Sequence, residues 1–484
     1  MNAAFVLRTL SVLLLIVSAF MAVSIPVAAL SGEARLVPAF LVPIAASLLF
    51  FVVMTAATRR DGRRALPVQA SYLLVVLGWV AASLLATLPF ILTGSIPRFI
   101  DAFFEVMSGF TTTGASILSD VEALPRSLLF WRSMTHWLGG MGIVVLTVAL
   151  FPLLGIGGLR LMDAESPGPT VDKVTPRISS TAKMLWLLYL GLTVLEIVLL
   201  LLGGMDLFDA ATHAFGTMAT GGFSTRNASV GHFRSGYIDW VITVFMFLSG
   251  ANFTLYYRLL RGQWRTVARD TELRAYTAVF VVSMLLVAAN LLRSGAASGF
   301  LHGLRLGGFQ VASILTTTGF ATADFARWPG FSQIVLFVLM FIGGCAGSTG
   351  GGIKVVRLVT ILKHSLTEMK YMVSPHGVYA VRVGGQVIRK NAIFSVYAFV
   401  FLYLLTLFSA ILVVASSGAD VPTSVTASLA TLGNIGPGLA AVGPVANYGH
   451  FPAYVKAYLS FAMLAGRLEI YTVLILGTRS FWRR

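Results

Sequence analysis

The sequence predicts an all-α membrane protein of about ten transmembrane helices: four pseudo-repeated span, pore-loop and span units around one central pore, preceded by a two-helix hairpin. Three observations carry that expectation. Of 484 residues, 57% are hydrophobic and 11% charged, and the mean hydropathy is +0.85, well beyond soluble globular domains. Apolar runs long enough to cross roughly 30 Å of hydrocarbon recur along the whole chain, so no soluble domain remains to carry separate chemistry. Between alternate pairs of runs lie apolar segments too short to span, each followed by Thr, Gly, Ala and Asn.

The first element is a hairpin over residues 1–65. Arg8 precedes an apolar run to about residue 30, long for the core of a signal peptide, and a second run over 36–58 ends in Arg59, Arg60, Arg63 and Arg64. Both ends of the hairpin are expected inside the cell. Further runs lie at 71–92, 128–154, 184–202, 238–257, 276–292, 331–362, 393–414 and 453–476. Paired around the short segments, they divide the remaining chain into units at 66–160, 161–262, 263–375 and 376–484.

Charge sets the orientation. The net charge is +16, but the basic residues fall in clusters between spans: Arg160, Lys173, Arg177 and Lys183; Arg258, Arg261, Arg265, Arg269 and Arg274; residues 354–390; and Arg479, Arg483 and Arg484. That is the pattern of cytoplasmic loops beside lipid head groups, not of a nucleic-acid surface, and it puts both termini inside. The single cysteine, Cys345, excludes an intrachain disulfide and reads as a small packing residue.

The short segments repeat one another. Residues 104–116 read FEVMSGFTTTGAS, 213–225 HAFGTMATGGFST, 309–322 FQVASILTTTGFAT and 426–438 TASLATLGNIGPG. Aligned on Gly114, Gly221, Gly319 and Gly436, they recur about every hundred residues. Irregular backbone at membrane depth is tolerated only where protein buries it or water lines it, so four re-entrant segments imply one shared aqueous path. A potassium ion entering it must exchange its water shell for protein oxygens of similar strength, which a ring of backbone carbonyls from four loops supplies. Turning carbonyls toward an axis requires backbone conformations natural to glycine.

The residues ahead of each glycine are Thr112 and Thr113, Ala219 and Thr220, Thr317 and Thr318, and Asn434 and Ile435. The short helix before each loop would aim its partially negative C-terminus at the ion. No carboxylate lies in these stretches, so a divalent-type acidic ring is not supported. Small residues for helix packing would explain one TTTG, but not four in register. The expected filter is therefore Thr112, Thr113, Gly114, Thr220, Gly221, Thr317, Thr318, Gly319, Asn434, Ile435 and Gly436. Potassium is the only metal expected, as cargo, with no bound cofactor.

With these residues in view, the sequence resembles the Trk/Ktr/HKT superfamily of potassium transporters, most of all its bacterial TrkH branch. The likeness covers nearly the whole chain and includes the four loops, MTHWLGGMGIVVL at 134–146 and FIGGCAGSTGGGIKVVR at 341–357. The N-terminal hairpin favours TrkH over the shorter KtrB branch. The resemblance implies four channel-subunit-like repeats around one pore, a homodimer, a cytosolic nucleotide-binding regulatory subunit of TrkA type, and the bacterial inner membrane. Glycine at all four filter positions implies potassium, whereas some plant relatives with serine in the first filter favour sodium.

Residues 343–352 hold Gly343, Gly344, Gly347, Gly350, Gly351 and Gly352, which at about 1 kcal/mol each relative to alanine are too many for an unbroken helix. The span should break there, with Ser348 and Thr349 suited to a water-lined cavity. The family places an intramembrane gating loop at the matching stretch. Arg467 and Glu469 interrupt the last run, where charges face a cavity or each other. Arg467 matches a family arginine near the pore, and Lys354 reads either as a gate residue or as an ordinary snorkelling lysine. His136 and His213 read as structural, and the histidines show no metal-ligand spacing. The alternative is a symporter coupling potassium to protons or sodium through Glu105, Glu196 or Glu469. No H-E-x-x-H, G-x-S-x-G or P-loop is present, so the chain does not read as an enzyme.

Overall fold

The computed structural model describes residues 3–58, 68–142 and 178–483. Among the described residues, strand structure is confined to a small antiparallel hairpin, Arg382–Val383 against Gln386–Val387. The rest is helix and connecting loop, so the chain is an all-α multi-pass membrane protein.

The N-terminal hairpin sets Ala3–Met21 and Ser24–Leu30 against Val37–Ala57. The hydroxyls of Ser18 and Ser47 meet at 2.6 Å between its arms, pairing two polar groups where lipid offers no partner. At the turn, the Glu33 carboxylate accepts from the backbone N–H groups of Arg126 (2.7 Å) and Ser127 (3.0 Å) and from the Ser127 hydroxyl (2.6 Å). A carboxylate at a helix N-terminus meets unpaired donors and a favourable dipole. The hairpin is thereby locked to the helix that starts at Arg126.

Four units follow, each an outer helix, a pore helix and an inner helix. The outer helices are Val68–Leu92, Ile178–Leu202, Thr271–Arg293 and Lys390–Ala415. The pore helices are Phe99–Phe110, Leu207–Met218, Phe300–Leu315 and Val421–Leu432, and the inner helices begin with Arg126–Gly140, Gly236–Ser249, Gly330–Leu339 and Ala453–Arg467. Outer helices bury one face and leave leucines and phenylalanines bare on the other, such as Leu202 and Leu412. That surface suits lipid and not water. The pore helices are enclosed by the rest, with residues 102, 104–110, 307–315 and 423–424 all buried.

Among the described residues, six helices are long and apolar enough to cross a membrane, or eight when two sharply bent pairs count as one span each. The other two expected spans fall short for separate reasons. The run at 128–154 continues past Gly142 into residues outside those described, as do the basic residues Arg59, Arg60, Arg63, Arg64, Arg160, Lys173, Arg177 and Arg484. The run at 331–362 is divided into Gly330–Leu339 and Val355–Val373 by an irregular stretch, at the glycine-rich segment expected to break.

Two further breaks were not expected. Gly236–Ser249 turns by 95° into Phe253–Leu260, and Ala453–Arg467 by 116° into the segment Tyr471–Gly477. Both lie in runs that hydropathy presents as continuous spans. Each sits where an inner helix abuts a pore-helix end, Gly250 against Thr316 and Gly466 against the carbonyl of Leu432. At the second, Glu469 and Ile470 adopt left-handed φ of 56° and 59°. Hydropathy does not register the first turn, because the residues on either side of Gly250 remain apolar, whereas the second falls at the two charged residues that interrupt the last run.

Candidate functional site

The four pore helices end alike. Their last residues are followed by Thr111, Ala219, Thr316 and Gly433 at the C-cap, and then by Thr112, Thr220, Thr317 and Asn434 with φ of 52°, 54°, 59° and 55°. The next N–H reaches back to the helix: Thr113 to Ser108 O at 2.9 Å, and Gly221 to Gly216 O, Thr318 to Ser313 O and Ile435 to Ala430 O at 2.8 Å. This is a helix C-terminus closed by a left-handed residue, a place normally given to glycine. Threonine or asparagine there carries a penalty of about 1–2 kcal/mol. Strain repeated at four equivalent positions points to side chains retained for a purpose.

A glycine follows in each case, with φ of 79° at Gly114, 78° at Gly222, 87° at Gly319 and 93° at Gly436. The second turn is thus in register through Gly222, not Gly221, and the alignment on Gly221 is corrected by one residue. Two adjacent glycines are indistinguishable in sequence, and only φ separates their roles. Gly221 is small for a different reason, since a Cβ there would stand 2.5 Å from the His136 ring.

These glycines close a ring. Gly114 lies against the carbonyl oxygen of Gly221, Gly222 against that of Thr318, Gly319 against that of Ile435, and Gly436 against that of Thr113. A side chain at any of them would overlap the next turn's backbone, so the order one, two, three, four, one is fixed by contact. Hydroxyl pairs brace the odd turns, Thr111 to Thr113 at 2.8 Å and Thr316 to Thr318 at 2.7 Å. Asn434 Nδ2 ties the fourth turn to the first by donating to Thr113 Oγ1 at 3.0 Å and also to Met463 O at 2.9 Å. Among the described residues, Thr112 Oγ1 and Asn434 Oδ1 have no hydrogen-bond partner.

Polar residues five positions before the pore-helix ends hold the arms that leave each turn. Glu105 accepts from the Ser116 hydroxyl (2.9 Å), Ile117 N–H (2.9 Å) and Arg132 Nε (2.7 Å). Arg132 also donates to Ser224 O at 3.1 Å and lies 3.4 Å from the centre of the Phe223 ring, joining the first arm to the second. His213 Nε2 meets Ser224 Oγ at 2.8 Å, and Gln310 Nε2 donates to Phe320 O at 3.3 Å. His136 Nδ1 donates to Gly109 O (2.7 Å) while Nε2 accepts from Phe223 N–H (3.1 Å), as befits an interhelical structural histidine. In the fourth unit Tyr448 donates to Gly436 O at 2.7 Å. Lys456 reaches Asp101 at 2.6 Å. The structural roles expected of His136 and His213 are found here, whereas the parts of Glu105, Arg132, Gln310 and Tyr448 as anchors were not expected, although a Glu, a His and a Gln at one register of three apolar helices would have marked them.

The glycine-rich segment 340–354 lies directly beneath. Gly351 N–H donates to Thr317 Oγ1 at 2.7 Å, and Thr349 Oγ1 donates to Met218 O and Ser249 O, both at 3.1 Å. Cys345, buried as expected, donates its N–H to Gly250 O at 2.8 Å. Lys354 is buried with its ammonium on Gly350 O. Arg467 reaches across with one nitrogen on Thr349 O (2.5 Å) and another on Gly139 O (2.6 Å) and Gly140 O (2.9 Å). Glu469 pairs with Arg357. The outer helix of the third unit adds Glu272, which accepts from Ala346 N–H (2.8 Å) and Val356 N–H (3.0 Å).

The family described as TrkH, cation transport protein, matches residues 39–482. The chain is 41% identical over 442 residues to the Trk system potassium uptake protein TrkH of Escherichia coli strain K12, covering 90% of this chain and 91% of that one. It is 34% identical over 481 residues to the Trk system potassium uptake protein TrkI of Halomonas elongata, covering 99% and 97%. The crystal structure of the potassium transporter TrkH from Vibrio parahaemolyticus superimposes with a TM-score of 0.86 at 36% identity, covering all of both chains.

Proposed function

The chain belongs to the TrkH family of cation transport proteins, and on that premise we propose that it carries potassium into a bacterial cell across the inner membrane by channel-like permeation. The closed order of contacts among the four turns carries this reading. Backbone that turns at one level from four pore helices presents carbonyl oxygens to a shared axis, which is the chemistry that replaces the hydration shell of potassium. The ion-binding residues of this filter are Thr112, Thr113, Gly114, Thr220, Gly221, Thr317, Thr318, Gly319, Asn434, Ile435 and Gly436, to which the φ register adds Gly222. The C-terminal ends of the pore helices bring partial negative charge to the same axis. The unpartnered oxygens of Thr112 and Asn434 are further ligands for a cation.

Residues 343–352, with Lys354 and Arg467, act as the gate. The loop's hydrogen bonds to Thr317, Ser249 and Arg467 support this assignment, because a loop held by a few exchangeable bonds across a permeation path can occupy two arrangements at small free-energy difference. Arg467 adds a fixed positive charge under the filter that opposes leak of cations. Permeation needs no coupled proton in this reading: of the three acids a symporter could use, Glu105 and Glu469 are engaged by Arg132 and Arg357, which supports a passive path, while the buried Glu196 on the second outer helix is the acid through which a symporter would have to work. The units 66–160, 161–262, 263–375 and 376–484 each contribute one turn, both termini face the cytoplasm, and the protein works as a homodimer with a regulatory subunit of TrkA type.

The test is potassium, rubidium and sodium flux into liposomes holding the purified chain, with and without a pH gradient. Saturable potassium and rubidium flux above that of sodium, indifferent to the gradient, is the expected result. Flux that requires the gradient would replace the channel with a symporter. No flux with the regulatory subunit present would overturn the assignment.

A further inference from the structure

Between the second and third units the chain runs through two short helices, Phe253–Leu260 and Trp264–Ala268, before entering Thr271–Arg293. This connection carries Arg258, Arg261, Arg265, Arg269 and Arg274. It also leaves Leu259, Leu260 and Trp264 exposed, Leu260 at 74% and Trp264 at 60%. Arg261 lies over the ring of Tyr257 at 4.5 Å and Arg265 over that of Trp264 at 5.2 Å, and both guanidiniums are exposed. The two acids of the stretch are already engaged: Asp270 caps the outer helix by accepting from Leu273 N–H at 2.8 Å, and Glu272 is buried on Ala346 and Val356. Bare leucine and tryptophan beside cations describe a segment lying in the bilayer interface, its apolar side chains among acyl chains and its guanidiniums at phosphate level.

We propose that this connection, from Arg258 to Arg274, is a binding site for the phosphate head groups of anionic phospholipids, and that the bound lipid steadies the glycine-rich loop. The second clause rests on the gating role proposed above. Both ends of the connection are joined to that loop. At one end Phe253 N–H donates to Gly347 O at 3.1 Å, and Asn252 packs where a Cβ on Gly347 would fall. At the other, Glu272 accepts from Ala346 and Val356. A connection pulled to the interface by anionic lipid therefore holds Ala346, Gly347 and Val356 where they are. Guanidinium favours phosphate through paired N–H donors, which gives the site a preference for an anionic head group beyond that of a zwitterionic one.

The experiment places the full chain in nanodiscs of equal phosphatidylglycerol and phosphatidylcholine and measures by mass spectrometry the lipid retained after mild delipidation. Retained phosphatidylglycerol should exceed phosphatidylcholine for the wild type and for R293Q, a charge change at the far end of the same outer helix. It should fall toward parity in the triple variant R261Q/R265Q/R269Q. Excess free phosphate that abolishes the preference would show that a soluble anion fits as well. An unchanged preference in the triple variant would overturn the site, and so would loss of regulatory-subunit binding without any change in lipid, which would make the connection a protein-docking surface. For the coupling, potassium flux of the triple variant should exceed that of the wild type about two- to fivefold in phosphatidylglycerol vesicles, the difference vanishing in phosphatidylcholine. Equal flux in both lipids would sever the site from the loop. Absence of flux in every protein would instead count against the transport reading, with the lipid measurement still deciding the site.

Discussion

The four turns and the loop beneath them are both rich in glycine, yet the balance between steric closure and hydrogen bonding differs between them. In the turns, each glycine has φ between 78° and 93° and meets a neighbour's carbonyl, so its size and its backbone angle are both fixed. The loop shares part of this packing, since a side chain on Gly343 or Gly351 would meet the carbonyl of Gly351 or Gly433, but it is also tied by hydrogen bonds to Thr317, Ser249, Arg467 and Glu272, four residues on separate elements. Steric closure makes a rigid frame, because interiors resist even one added methyl. A handful of hydrogen bonds, each worth about 1 kcal/mol net, makes a part that can be moved. The contrast is what the proposed filter and the proposed gate would each require.

The largest expected effect attacks the rigid side of this contrast. Gly114→Ser, Gly222→Ser or Gly319→Ser should lower potassium flux by about a hundredfold or admit sodium, since left-handed strain and a carbonyl clash act together. Unaltered flux ratios in all three variants would remove the distinction between frame and loop. Gly222 is the sharper case, because a selectivity change there supports the register assigned from φ.

Next is the brace behind the frame. Glu105→Gln leaves Arg132 buried without its anion, a change worth about 3–5 kcal/mol. The purified protein should lose heat stability, read by fluorescence-detected size exclusion, and the closure of the first arm on the second should loosen. A variant as stable as the wild type would mean that Ser224 and the Phe223 ring suffice to hold the arginine.

On the movable side, removing Ser348 to Gly350, or Arg467→Gln, should raise basal potassium flux about tenfold while leaving the potassium to sodium ratio unchanged. A shifted ratio would show that loop and ring are one unit. The smallest effect is expected from Thr317→Val, which keeps shape but removes the acceptor of the Gly351 N–H. About 1 kcal/mol of loop stabilisation disappears, raising flux roughly fivefold. A drop in potassium preference instead would place that hydroxyl among the ion's ligands.

Much of this architecture was legible in the sequence. Long apolar runs announced the hairpin and outer helices, because burial in lipid is a property of consecutive residues. The four turns showed themselves through repeated text, and the glycine-rich break at 343–352 through helix propensity alone. Other features left no local trace. Gly221 and Gly222 are alike until φ is known. The break at Gly250 lies in a stretch whose hydropathy does not change, and at Glu469 the charges that interrupt the run do not by themselves specify a turn. Glu33, in the turn of the N-terminal hairpin, caps a helix that begins 93 residues later.

The sequence by itself determined the membrane class and the places where short apolar helices give way to glycine-bearing turns, since hydropathy, repetition and glycine content are written in neighbouring positions. Only the tertiary structure decided how those turns meet, that Glu469 takes Arg357, and that Arg467 spans from the fourth inner helix to Thr349 and Gly139. The physical reason is distance along the chain. Pairs such as Asn434 with Thr113, 321 residues apart, are selected by packing and by the need to satisfy buried polar groups, and neither is encoded at one position alone.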